Sequence, residues 1–219
     1  MHSLIDLFLH LDVHLDEFVG RYGAQVYGLL FAIVFAETGL VVTPFLPGDS
    51  LLFAAGAIAA RGKLDVGLLF VLLAGAAILG NTVNYSIGHF VGPRVFRADE
   101  SHPLLNRQHL ERAHAFFERY GGMAVVLTRF VPIIRTFVPF VAGAGAMRYP
   151  AFALFNVVGG GLWVGICLGA GYAFGNVPVV KNNFSLVAIG IVAVSLLPML
   201  VEWLRHKKEA GQSEKRPES

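Results

Sequence analysis

The chain has 219 residues, of which 55% are hydrophobic and 15% charged, with a formal net charge of +2 and a mean hydropathy of +0.63. Soluble domains carry about a quarter charged residues, so the composition excludes an ordinary soluble fold and points to one polytopic membrane domain. The charge is unevenly spread: Lys and Arg gather in 94–119 and 205–216 and are nearly absent from 149–204.

Residues 3–20 alternate apolar and polar at helical spacing. Leu4, Leu7, Phe8, Leu11, Leu15 and Phe18 oppose Asp6, His10, Asp12, Asp16 and Glu17. This predicts an amphipathic helix lying in the membrane interface, and the acids argue against a cleavable signal. Residues 24–42 are apolar apart from Gln25 and Glu37 and are long enough either to span or to dip. Residues 45–60 are apolar but too short to span at about 1.5 Å per residue. Bounded by Pro44, Pro47 and Gly48 on one side and Arg61-Gly62-Lys63 on the other, they read as the return arm of a re-entrant hairpin. Residues 66–92 are long enough to span, with Gly75, Gly80, Gly88 and Gly92 for close helix contacts. Residues 93–120 are polar with an apolar side, which predicts a second interfacial helix. A second broken apolar region, 122–147, contains Pro132 and Pro139. Residues 151–175 and 184–204 read as spans, and the polar tail 209–219 as disordered. The lone Cys167 excludes a disulfide framework.

The chain repeats itself. Phe53-Ala-Ala-Gly56-Ala recurs as Phe140-Val-Ala-Gly143-Ala, and Tyr85-Ser-Ile-Gly88 as Tyr172-Ala-Phe-Gly175, both at a step of 87 residues. Arg21-Tyr22-Gly23 recurs as Arg119-Tyr120-Gly121 at a step of 98. Each unit reads as interfacial helix, Arg-Tyr-Gly, broken hairpin and span, with repeat one at about 3–92, repeat two at about 96–175 and an extra span at 184–204. A unit with one crossing sets its successor upside down, which is the inverted-repeat plan of many transporters. The expected fold is an all-α polytopic membrane domain, 1–208, with two opposed re-entrant hairpins, spanning helices and interfacial helices. The basic segments 93–120 and 205–208 put the C-terminus on the cytoplasmic side. The side of the N-terminus stays open.

Ionisable groups at membrane depth are costly unless they face a polar cavity or each other, so they mark a pathway. Glu37 and Asp49 lie in the first broken region, Arg129 and Arg135 in the second. Asn81, Asn84, Tyr85 and Asn156 are polar groups within spans, read first as interhelical hydrogen bonders and second, with Thr136, as cavity lining. Trp163 and Trp203 read as packing or interfacial anchors. No metal site is expected. His109 and His114 lack the spacing of a zinc helix, and His10 and His14 have it without a clear third ligand.

Four segments together carry a resemblance. They are Glu37-Thr-Gly with Pro44-Phe-Leu-Pro-Gly-Asp-Ser50, Asn84-Tyr85 with Gly88, Arg129-Phe-Val-Pro-Ile-Ile-Arg-Thr136, and Ala142-Gly143. On these the chain resembles the DedA family, also called SNARE-associated or VTT-domain proteins, over about residues 1–208. The resemblance implies a bacterial inner-membrane protein with two facing re-entrant hairpins. It also implies movement of lipids across the bilayer, undecaprenyl phosphate and phospholipids among them, with dependence on the proton motive force. The family's functional acids carry over to Glu37 and Asp49, and its functional arginines to Arg129 and Arg135. This chain departs from many members at Gly80-Asn81, where an aspartate follows the glycine.

Glu37 is the better proton carrier, in a cavity that dries and wets as it opens. Its alternative role is that of structural partner to an arginine. Asp49, after Pro47-Gly48, also suits a helix N-cap. Arg129 and Arg135 are six residues apart, and a break at Pro132 lets both reach one cavity. Arginine binds phosphate through a planar fork of donors and keeps its charge when buried. The alternative is that both only neutralise the two acids. The leading reading is therefore a membrane lipid transporter or flippase moving a phosphate-bearing lipid, with the proton as coupling ion and no other cofactor. Alternatives are a proton-coupled carrier of small solutes or cationic drugs, a passive scramblase, and a non-transport membrane-integrity factor. An enzyme is not expected, since no His-Glu-x-x-His, Gly-x-Gly-Asp or nucleophilic serine pattern occurs. Membrane lipids are the expected partners, with a homodimer open and no nucleic acid, because acids dilute the basic segment.

Overall fold

The computed structural model describes residues 19–40, 48–95, 117, 120–178, 187 and 190. The interfacial helices predicted over 3–20 and 93–120 lie almost wholly outside the described residues. So do Pro44, Pro47, the span predicted over 184–204, the tail, Trp203 and the four histidines at 10, 14, 109 and 114.

Among the described residues the fold is all helical. Helix α1 covers Gln25–Gly39 and ends at Leu40, which is extended. Helix α2 covers Gly48–Ala60, with Asp49 in its first turn. At about 1.5 Å per residue these reach only some 20 Å, too short to cross a hydrocarbon core of about 30 Å. The Gly62 turn, at φ 76°, leads into α3, Val66–Val95. Asp65 caps that helix, its Oδ1 accepting from Leu68 N–H at 2.6 Å.

The second half begins with α4, Met123–Leu127, and a 3-10 turn over Thr128–Phe130. Val131, which precedes a proline, is extended, and Pro132 opens α5, Pro132–Val141. A π-turn, Ala142–Ala146, follows and is kinked at Gly145, with φ 128°. Helix α6 covers Tyr149–Phe174. Val66–Gly92 within α3 and the whole of α6 are apolar and long enough to cross a membrane. Their outer flanks expose large apolar side chains, among them Val71, Leu79, Leu154 and Ile166.

Helices α3 and α6 lie antiparallel, since Tyr85 stacks on Phe152 while Ile78 meets Asn156 one to two turns further on. The broken helices pack on them reciprocally. Helix α1 lies on α3 and α4 on α6, whereas α2 crosses to α6 and α5 with its π-turn crosses to α3. Glycine makes the crossings close. A Cβ on Gly171 would collide with the Phe53 carbonyl, and one on Gly88 with the Phe140 carbonyl. Likewise Gly56 meets the Leu168 carbonyl and Gly143 that of Tyr85.

These contacts can be set beside the sequence repetition at a step of 87 residues. Phe53 and Phe140 occupy matching places, at the 87-residue step read from the sequence. In the spans, however, the partner of Gly88 is Gly171, a step of 83. The match of Tyr85–Gly88 to Tyr172–Gly175 is one helical turn out of register. Stripes of small residues recur at nearly one turn, so a four-residue slip costs little in sequence likeness. The Arg-Tyr-Gly motifs do share one local structure. Gly23 and Gly121 have φ of 52° and 55°, and their N–H groups donate to Val19 and Phe117 carbonyls at 3.0 and 2.7 Å.

Two apolar cores result. One joins α1, α2, the first half of α3 and the second half of α6 around Leu30, Leu52, Leu73 and Leu168. The other joins the second half of α3, α4, α5 and the start of α6 around Tyr85, Val125, Val138 and Phe152. Between them lies a layer of buried polar residues.

Candidate functional site

The polar layer forms where helix ends meet the midpoints of α3 and α6. The last turn of α1 brings Glu37 and Thr38, the first turn of α2 brings Asp49, and the start of α5 brings Arg135 and Thr136. Arg129 arrives on the 3-10 turn. Asn84, in mid-α3, ties two of these ends together, its Nδ2 donating to the Thr38 carbonyl at 3.3 Å and the Thr136 carbonyl at 2.8 Å. Gly39 and Gly80 let α1 and α3 touch, for a Cβ on Gly39 would lie 3.3 Å from Gly80 Cα.

Arg135 is the centre of the first cluster. Its Nη1 donates to Asp49 Oδ1 at 2.9 Å and its Nη2 to Glu37 Oε1. The planar fork is what allows one guanidinium to hold two carboxyls from two helices. Trp163, from mid-α6, completes the arrangement. Its Nε1–H donates to the same Asp49 oxygen at 2.8 Å, and its ring lies against the guanidinium. Glu37 is fully buried, and a Cβ on Gly48 would overlap its carboxylate. Asp49 lies within the first turn of α2 and directs its carboxylate to Arg135 and Trp163.

Arg129 is held differently. It is 3% exposed, and among the described residues it forms no ion pair with a carboxylate. Its Nη2 donates to Asn156 Oδ1 and, at 3.4 Å, to the Asn156 carbonyl. Asn156 Oδ1 also accepts from Asn81 Nδ2 at 3.2 Å, while its Nδ2 donates to the Ile78 carbonyl at 3.0 Å and Thr82 Oγ1 at 3.4 Å. The guanidinium stem lies over Gly159, where a Cβ would come within 3.1 Å of Arg129 Cδ. The alternative reading, in which both arginines only neutralise the two acids, is thus corrected. Arg135 takes both acids, and Arg129 sits in a neutral amide setting.

With both carboxyls ionised, the Arg135 cluster carries one negative charge and Arg129 one positive. Several polar atoms in the layer are buried and have no hydrogen-bond partner among the described residues: Glu37 Oε2, Ser50 Oγ, Asn84 Oδ1 and Arg129 Nε. Buried polar atoms are nearly always satisfied, and exceptions call for an explanation such as a ligand or water.

Of the weaker candidates, Asn81, Asn84 and Asn156 lie in the layer, and Thr136 enters through its carbonyl. Tyr85 lies outside it, donating to the Met147 carbonyl at 2.8 Å. Pro132 marks the start of α5, and Pro139 is buried within it just before the π-turn. Trp163 packs in the apolar core, as its sequence context predicts, and is not an interfacial anchor; its contacts to Asp49 and Arg135 are additional. Their signal was position, since Trp163 follows three glycines in the middle of a span rather than at an interface.

The VTT domain matches residues 46–173. The chain is 50% identical over 217 residues to Protein DedA of Escherichia coli K12, covering 98% of this chain and 99% of that one. It is 44% identical over 204 residues to an uncharacterized membrane protein of Mycobacterium tuberculosis, covering 90% and 88%. It is 37% identical over 158 residues to the inner membrane protein YghB of Escherichia coli, covering 72% of each. No solved structure matches the chain. With its two membrane-length helices and its matched domain, the chain belongs to the DedA family of VTT-domain membrane proteins.

Proposed function

We propose that the protein moves a phosphate-bearing lipid, undecaprenyl phosphate or a phospholipid, across the bacterial inner membrane, with a proton as coupling ion. The observation that carries this reading is the division of the buried charges. Arg129 holds a guanidinium deep in the molecule with only amide partners, and that is a setting for an anionic headgroup. Arg135 holds two carboxyls and is balanced when one of them carries a proton. Glu37, fully buried and held by Arg135 through one oxygen, is the group we assign to that proton. A phosphate reaching Arg129 draws on Arg135 as well, loosening its hold on Glu37 and linking headgroup arrival to proton uptake.

The reading includes two re-entrant hairpins in an inverted repeat. The short lengths of α1 and α2, the reciprocal packing of the broken helices and the equal Arg-Tyr-Gly turns support it. Basic segments at 94–119 and 205–208 support a cytoplasmic C-terminus, and the name of the YghB relative supports the inner membrane.

The test is flipping of labelled undecaprenyl phosphate and labelled phosphatidylethanolamine in proteoliposomes, with and without an imposed proton gradient. Movement of one lipid, lost with the gradient and in Arg129→Ala, is the expected result. Equal, gradient-independent movement of both would make the protein a scramblase. Movement of neither would turn the reading to solute transport or an indirect role.

A further inference from the structure

A second candidate site lies beside the charge layer. Between the later turns of α3 and the start of α6 runs an open groove of about 870 Å³. One wall is aromatic: Tyr149 meets Tyr85 edge-on at 5.4 Å, and His89 lies parallel to Tyr85 at 6.5 Å. At its edge Phe90 is 71% exposed, on the apolar flank of a membrane-length helix. Across the groove the π-turn swings the chain through Gly145, at φ 128°, and delivers Arg148 to the rim. Arg148 and His89 are both exposed, and among the described residues neither side chain has a carboxylate or hydrogen-bond partner.

The groove leads inward to the charge layer. Thr82 lines it, and Thr82 Oγ1 accepts from Asn156 Nδ2 at 3.4 Å. Asn156 in turn accepts from Arg129. One amide therefore separates the groove wall from the buried guanidinium. A basic rim, an aromatic wall and an apolar outer edge match one chemistry, an anionic phosphate attached to an apolar chain. The basic rim favours an anionic over a purely hydrocarbon occupant, and the aromatic wall gives a free phosphate nothing to bury.

We infer that this groove is the lateral portal for the anionic lipid. Arg148 and His89 hold the phosphate, Tyr85 and Phe90 receive the first part of the chain, and Thr82 and Asn156 pass the headgroup to Arg129. The inference rests on the lipid-transport reading above and adds where the lipid docks first.

The experiment places the full chain in phosphatidylcholine proteoliposomes with one of two photoactivatable probes of equal acyl chain, a phosphatidic acid or a phosphatidylcholine. Crosslinks are mapped by peptide mass spectrometry. Labelling around Phe90 and Tyr149 should favour the phosphatidic acid probe by about tenfold, the worth of one charge-assisted hydrogen bond. The double variant Arg148→Ala/His89→Ala, altered only at exposed positions, should lose that preference. Ser86→Trp, which fills the groove, should lose labelling by both probes. Excess inorganic phosphate should leave labelling unchanged. Equal labelling by the two probes, a preference that survives the double variant, or full competition by inorganic phosphate would overturn the portal. Arg129→Ala separates the two claims, since it should stop transport and leave groove labelling intact. Selective labelling with no transport by the wild type would sink the transport reading and leave the lipid site standing. Transport without selective labelling would sink the groove alone.

Discussion

The guanidinium carbon of Arg135 lies 5.1 Å from the centroid of the Trp163 ring, while the indole N–H of Trp163 donates to Asp49, the carboxylate that Arg135 also binds. One tryptophan thus braces a cation and its counter-ion together, using the ring face for the first and the ring edge for the second. The partners come from three different helices, α2, α5 and α6, so the bracing also joins the two halves of the chain.

Trp163→Phe keeps the ring face and loses the donor, and Trp163→Ala loses both. We expect the Ala variant to cost about 3–5 kcal/mol, as for other large-to-small changes at buried aromatics, and the Phe variant about 1–2 kcal/mol through the lost hydrogen bond. Thermal unfolding in detergent checks the order. Equal Tm losses would mean that only packing volume matters.

Removing Arg135 takes away the guanidinium that holds the fully buried Glu37 and the part-buried Asp49. Arg135→Ala should destabilise by about 3–5 kcal/mol. Arg135→Lys should recover only part of this, because a single ammonium cannot present a planar fork to two carboxyls. A lysine variant with wild-type Tm would show that charge alone suffices.

Glu37→Gln keeps an oxygen to accept from Arg135 and removes the titrating proton. We expect a folded protein whose lipid movement no longer responds to an imposed pH gradient, measured in the flipping assay. Undiminished gradient dependence would move the proton to another group, Asp49 first.

Asn156→Asp puts a carboxylate where Arg129 now has an amide oxygen. If Arg129 holds the headgroup as proposed, the new ion pair takes the phosphate's place, so transport should fall at least about tenfold while Tm holds or rises. Asn156→Ala should also impair transport, and its effect should not add to that of Arg129→Ala, since the two residues act as one unit.

Glycine substitutions separate close crossings from open helix surface. Gly171→Ala and Gly88→Ala drive a methyl into a partner carbonyl and should cost about 1–3 kcal/mol. Gly75→Ala and Gly161→Ala meet nothing within 4 Å and should be neutral or stabilising by up to about 1 kcal/mol. The measurement is Tm across the four variants.

Much of this was legible in the residue order. An apolar chain broken at Pro132, with charges inside its apolar runs, foretold helices too short to span and a polar layer at their ends. Such signals are local, since proline removes a donor and fixes φ wherever it stands. Phe53 and Phe140 make matching contacts at the 87-residue step seen in the sequence, whereas Gly88 corresponds to Gly171, one turn away from the sequence match, because small residues recur at a spacing that tolerates the slip.

The sequence by itself determined the membrane class, the broken helices and the four charged residues, because hydropathy, backbone stiffness and charge belong to each residue alone. Only the tertiary structure decided the pairing. Asp49 and Arg135 are 86 residues apart and Glu37 and Arg135 are 98 apart, and nothing local distinguishes Arg135 from Arg129. The crossing of α2 to α6 and of α5 to α3 sets which guanidinium meets the carboxyls and which meets Asn156. It also sets Trp163 at the border of the apolar core, with its N–H on Asp49 and its ring face on Arg135.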